Sequence, residues 1–161
     1  MAVDYFLKID GIPGESEDDK HPNEIDIQSF SWGQIQQGTM AFGGGGGAGK
    51  VQFHDVHFSA HTNKASPKLA IACATGQHIK TAVLTVRKAG GDQQDYYKVI
   101  LTDVLVSSFQ SGGTEGANAV PVDQFSLNFA TIEFEYKPQK ADGAVGAPLK
   151  IKYNLKLNKA G

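Results

Sequence analysis

Cysteine is almost missing from this 161-residue chain: Cys73 stands alone, so no intramolecular disulfide can form, which suits synthesis and folding in the cytoplasm. Long apolar runs are missing as well, and without about 20 consecutive apolar residues no helix spans a bilayer. The opening Met1-Ala2-Val3-Asp4-Tyr5-Phe6-Leu7-Lys8 lacks the basic stretch, apolar core and small-residue cleavage site of a secretory leader, so any export is expected to be non-classical. Nor is there an excess of charge of one sign. Fifteen Lys and Arg stand against 17 Asp and Glu, a net charge of -2, too little to gather nucleic acid or anionic lipid. No internal repeat divides the sequence, and its length fits a single domain over 1–161.

What remains is dominated by period-two alternation. It is clearest in Leu149-Lys150-Ile151-Lys152-Tyr153-Asn154-Leu155-Lys156-Leu157, which predicts a half-buried strand with a lysine face. Similar patterns at Val3–Ile9, Ile25–Trp32, Val51–His61, Ile79–Lys88, Tyr96–Leu101, Val104–Phe109 and Phe125–Tyr136 bring the total to about eight strands, separated by Gly, Pro, Asp and Asn. In the longest, Phe125, Leu127 and Phe129 share one parity while Ile132, Phe134 and Tyr136 share the other. That break predicts a bulge near Ala130 or a second buried surface. One short helix is expected over Ser66–Gly76, with Ser66 as cap, Pro67 in the first turn and Gly76 at the exit. The fold class is therefore all-β with one short α-helix, a sandwich or barrel.

Several motifs invite chemistry and lose to plainer accounts. Gly44 to Lys50 resembles a phosphate-cradling loop, but Val51 stands where Ser or Thr should hold magnesium, and strand-like residues follow where a helix is needed. A nucleotide hydrolase using Lys50 is thus the weakest alternative, and a hairpin arm that orders on docking is the better account of the glycines. His54, His57, His61 and Asp55 have metal-ligand chemistry. Strand geometry nevertheless turns His54 and His57 to opposite faces and sets His57 about 13 Å from His61, too far for one zinc. Cys73 lies in an apolar helical run and reads as a small packing residue. Ser107, Ser108, Ser111 and Ser126 lack a nucleophile-elbow context, and neither Asp18-Asp19 nor Glu133 with Glu135 forms a convincing acid–base pair. No catalytic residue, cofactor or metal is assigned.

A succession of short blocks resembles the haemolysin-coregulated proteins of bacterial type VI secretion. It runs from Met1-Ala2-Val3-Asp4 with Ile9 and Gly14-Glu15-Ser16, through Glu24-Ile25-Asp26, Ser31-Trp32-Gly33 and Gly43 to Lys50, to Ala72-Cys73 with Gly76. It continues in Leu84-Thr85-Val86-Arg87-Lys88-Ala89-Gly90-Gly91, Leu105-Val106-Ser107-Ser108, Leu127-Asn128-Phe129-Ala130 and Tyr136-Lys137-Pro138-Gln139-Lys140-Ala141-Asp142-Gly143. The resemblance implies a two-sheet β-barrel with one helix, a homohexamer whose stacked rings form a hollow tube inside a contractile sheath, behind a spike. It also implies small effector proteins in the lumen, and a chain found in the cytoplasm before firing and outside the cell afterwards. The runner-up is an effector-binding carrier or chaperone ring.

Two contact surfaces are expected on this reading. Phe42, Gly43, Gly44, Gly45, Gly46, Gly47 and Lys50 form an arm that reaches a neighbouring subunit, and Glu15, Asp18 and Asp19 face Lys150, Lys152 and Lys156 across the stack.

Overall fold

The computed structural model describes residues 2–38, 41, 50–88, 93–116, 119–140 and 144–161. In chain order the elements are β1 (Val3–Ile9), β2 (Ile25–Ile27), β3 (Ser29–Ser31), β4 (Gln34–Ile35), β5 (Gln52–Phe53), β6 (Val56–His61), α1 (Ser66–Thr75), β7 (Ile79–Lys88), β8 (Asp95–Gly112), β9 (Val122–Tyr136), β10 (Leu149–Asn154) and β11 (Lys159–Ala160). All ladders are antiparallel, as hairpin-connected alternating strands require.

Strand order makes the barrel. The main path runs β11-β10-β9-β8-β7-β1-β2, while β6 pairs with both β9 and β3. The expected strand Ile25–Trp32 is divided because it changes partner: β2 pairs with β1, β3 pairs with β6, and the Gln28 N–H between them donates to the Ser59 carbonyl at 2.8 Å. That one segment carries the sheet back towards its start and curls it into a barrel-like wall. Tyr96–Leu101 and Val104–Phe109, expected as two strands, are one continuous β8.

Inward-facing side chains fill the barrel. Leu7, Ile25, Val56, Leu84, Val99, Leu101, Val104, Phe125 and Leu127 are all buried in one hydrophobic cluster. The parity break predicted near Ala130 is real, but no residue is inserted there. Ladder pairs Thr102↔Thr131 and Val104↔Phe129 keep one register across the break, stepping over Asp103 and Ala130. Asp103 takes φ +54°, the left-handed region that few non-glycine residues adopt. Both strands turn over together there. As a result Leu101 and Val104 on β8, and Phe129 and Ile132 on β9, all reach the same core although their parity differs.

Helix α1 packs Leu69 and Ala72 inward, against β8. Pro67 sits in the first turn and Gly76 ends the helix at φ +64°, as expected. The cap differs. Ala65 is the N-cap and Ser66 is the first helical residue; its hydroxyl accepts the Asn63 N–H at 2.9 Å and donates to the buried Asp123 carboxylate. Thr62 Oγ1 donates to the same carboxylate at 2.8 Å, so the helix entrance is tied to β9 by an acid with no ion pair among the described residues. Cys73 is half-buried against the core.

Leu127 is wholly enclosed, so Leu127→Ala should cost about 2–5 kcal/mol through lost transfer energy and the cavity left behind. A chemical-denaturation midpoint unchanged from wild type would contradict this account of the core.

Candidate assembly surfaces

The outer face of β1 and β7 should be wet, yet Phe6, Thr85 and Arg87 on it are buried. The covering is residues 13–24, a strap laid across the barrel wall. Its path is fixed by backbone hydrogen bonds from Gly14 N–H to the Asn23 carbonyl at 2.8 Å and from Ser16 N–H to the Glu24 carbonyl at 2.9 Å. Glycine is required at 14 because a Cβ there would lie 2.5 Å from the Glu24 carbonyl oxygen.

Beneath the strap, Arg87 is 1% exposed. Both of its terminal nitrogens donate to Asp18, Nη1 to Oδ1 at 2.8 Å and Nη2 to Oδ2, in the forked pairing that suits arginine. Asp18 also accepts the Lys20 and His21 backbone N–H groups at 2.9 and 3.1 Å. The Arg87 hydrogen bond, above all, holds the Asp18 carboxyl well below the usual carboxylate range. Two flat groups lie against Phe6: the Arg87 guanidinium carbon is 5.1 Å from its ring centre, and the His21 ring stacks on it at 4.6 Å. His21 completes the attachment, with Nδ1 2.8 Å from Glu24 Oε2 and Nε2 3.2 Å from Asp95 Oδ1. Asp18, expected to face another ring, is thus engaged inside its own chain. Glu15, Glu17 and Asp19 stay exposed.

A second surface lies at the other end of the strand path. Cross-strand pairs Leu149↔Tyr136, Ile151↔Phe134 and Tyr153↔Ile132 place six large residues on one face of the β9–β10 ribbon, while Lys150↔Glu135 and Lys152↔Glu133 occupy the other. The lysine face is as predicted. The apolar face is not half-buried along its length: Leu149 is 65% and Ile151 61% exposed, because the core covers only the Tyr153 end. Beside them opens a cavity of about 240 Å³ lined by Trp32, Phe53, Phe134, Ile151 and Tyr153. Local charge compensation is loose, with Lys150 Nζ 3.8 Å from Glu135 and Lys156 Nζ 3.7 Å from Asp103, separations worth little at a surface.

The residues expected to form the glycine arm lie in sequence between the two strands of a two-pair hairpin stem, Gln34↔Phe53 and Ile35↔Gln52. Phe42 and Gly43, Gly44, Gly45, Gly46 and Gly47 lie outside the described residues. Lys50 is exposed, and the chain after it enters β5, where a phosphate cradle would need a helix N-terminus. Asp55 accepts hydrogen bonds from Ser107 Oγ at 2.6 Å and Asn128 Nδ2 at 2.9 Å, and Ser107 Oγ lies 2.7 Å from Ser126 Oγ. Those hydroxyls pack around the register shift between Val106 and Ser108, with no imidazole bonded to them in the role of a base. His61 Nε2 pairs with the Gln28 side-chain amide at 2.9 Å, and no group of three or more metal-ligating side chains forms among the described residues.

Comparison with known proteins bears on the family and the fold. Residues 6–136 match the family model described as type VI secretion system effector, Hcp. Protein hcp1 of Pseudomonas aeruginosa is 48% identical over 160 residues, 98% of either chain. Among solved structures, Hcp1 from Salmonella typhimurium is 35% identical with a TM-score of 0.83, covering 100% of both chains. A structure described as a type six secretion system protein is 31% identical with a TM-score of 0.93, covering 99% of this chain and 100% of that one.

The strap supplies a test with a defined sign. A carboxyl held low in the folded state stabilises it at any pH above its unfolded value and loses that effect as pH falls through the folded one. Asp18→Asn should therefore lower stability by a constant amount above about pH 5, and the gap to wild type should close as pH drops below about 4. Arg87→Leu, which leaves Asp18 without its cation, should cost about 3 kcal/mol or more in a urea titration. A pH-independent gap for Asp18→Asn would show that the pair does not hold the strap.

Proposed function

The chain belongs to the Hcp family of type VI secretion proteins, and from that premise we propose that it is a structural tube subunit, a homohexameric ring that stacks into a hollow tube. The observation that supports this reading is the match to Protein hcp1 along nearly the whole of both chains, an extent that takes in surface positions as well as the core. The physical demands of a tube fit what the chain offers. It needs a stiff subunit, and the barrel has a single contiguous core with a strap fastened outside it. It needs unlike surfaces on one molecule so that copies join head to tail, and opposite charges on the strap and the β10 ribbon provide them.

In this reading the tube lies within a contractile sheath behind a spike, waits in the cytoplasm and is driven out of the cell on contraction. Phe42, Gly43 to Gly47 and Lys50 form an arm that closes the contact between subunits. Small effector proteins ride in the lumen. A carrier role is the second reading, favoured by a groove of about 480 Å³ on the outer face of β3, β6, β8 and β9, lined in part by Ser29, Ser31, His57, Ser59 and Gln124. Hydroxyls and amides without a fixed charge suit weak, tolerant contact with varied polypeptides.

Negative-stain electron microscopy of the purified chain should show six-fold rings, and release into the medium should stop when sheath contraction is blocked. A chain that stays monomeric at high concentration and is retained by contraction-competent cells overturns the proposal. Removal of Gly43–Gly47, or Phe42→Ala, should weaken assembly at least tenfold without lowering thermal stability; unchanged assembly would take the arm out of the contact.

A further inference from the structure

The ladder order places the two charged surfaces on opposite walls of the barrel. From β1 to β9 there are three ladders by way of β7 and β8, and three by way of β2–β3 and β6. The strap lies over β1 and β7, and β10 extends from β9. Each surface is only partly compensated among the described residues. Among the described residues Asp4, Glu15 and Asp26 form no ion pair, and Arg87 is committed to Asp18. Burial first, then the neighbouring Asp4, Asp18 and Glu15 carboxylates, push the Asp26 carboxyl above the usual range, as expected where negative charge collects without a cation. Glu15 and Asp26 share a groove of about 190 Å³ with Gln28 and His61.

Opposite them, β10 pairs with β11 at Tyr153 and Asn154, and the Gly161 N–H donates to the Lys152 carbonyl at 2.9 Å, so the open edge is Leu149–Ile151. Lysine on an open edge commonly serves to repel other strands. Repulsion alone does not account for Leu149 and Ile151 exposed beside Lys150 and Lys152, next to an apolar cavity; that combination has the composition of an interface centre with a charged rim.

We propose that the β10 edge of one copy seats on the strap of the next copy in the ring, with Lys150 and Lys152 meeting Glu15 and Asp26 while Leu149 and Ile151 are withdrawn from water against the strap's exposed Pro13 and Pro22. The proposal rests on the tube reading and names the surfaces that join one subunit to its neighbour. It moves the charge pairing expected between stacked rings into the ring itself. The apolar component decides this: contacts that persist for the life of an oligomer are the more hydrophobic ones, whereas a stacking contact between preformed rings can be wholly polar.

The test is a charge exchange followed by mass photometry. Lys150→Glu with Lys152→Glu makes both surfaces acidic, and Glu15→Lys with Asp26→Lys makes both basic. Each double variant alone should assemble at least tenfold more weakly than wild type, while a one-to-one mixture should recover rings of alternating composition. Either variant assembling like wild type, or a mixture no better than its components, overturns the contact. Carbodiimide cross-linking of the wild-type chain is independent of how the variants fold. It should join Lys150 or Lys152 to Glu15 or Asp26 between copies, and cross-linked rings lacking every such link overturn the contact as well. Wild-type rings alongside either failure leave the tube reading standing; a wild-type chain that never forms rings removes that reading instead.

Discussion

One buried guanidinium shapes the outside of this barrel. Arg87 projects from the side of β7 that alternation turns away from the core, and because the strap keeps water from it, its charge is tolerable only with a carboxylate in forked contact. Asp18 supplies that contact, and Phe6 and His21 complete the cover. The cost of burying the ion pair is recovered in position more than in stability. A polar segment that would otherwise wander is held against the wall, with Glu15, Glu17 and Asp19 facing outward. The same fastening decides which acids are available to another molecule and which, like Asp18, are not.

Much of the fold was legible in the amino-acid order because alternation and burial share one cause. Val3–Ile9 and Ile79–Lys88 form with the boundaries their patterns imply, and Pro67 and Gly76 bracket the helix for the backbone reasons that favour them there. Local pattern failed wherever a distant partner decided the outcome. Ser66 looked like a cap until Asp123, far along the chain, claimed its hydroxyl. Leu149 and Ile151 alternate like core residues, yet the sheet ends beside them and nothing in their own segment records that. Arg87 sits at an ordinary outward position, and its bond to an acid 69 residues earlier leaves no trace in spacing. The one available hint was compositional: Arg87 is the only arginine in the chain, set where a lysine would have served a solvated face.

The same distinction applies to function. Family membership follows from likeness spread along the chain, whereas residues that touch a neighbour are exposed and individually unremarkable in sequence. A catalytic site brings together chemically unusual side chains, which single-chain geometry can detect. A contact between copies need contain nothing more unusual than leucine, isoleucine and lysine on a strand edge. Its mark is an apolar surface left uncovered in the isolated subunit.

The turnover at Asp103 and Ala130 limits how this sequence can change length. Deleting one residue from either strand at that point would invert every side chain beyond it relative to its partner, setting polar residues where the barrel interior requires apolar ones. Matched losses from β8 and β9 preserve the pairing, and so do changes confined to the connecting turns. Insertions and deletions in descendants of this sequence should therefore gather in the turns or arise as compensated pairs, even though Asp103 itself is only half-buried and its carboxylate lies beside His78 and Lys156.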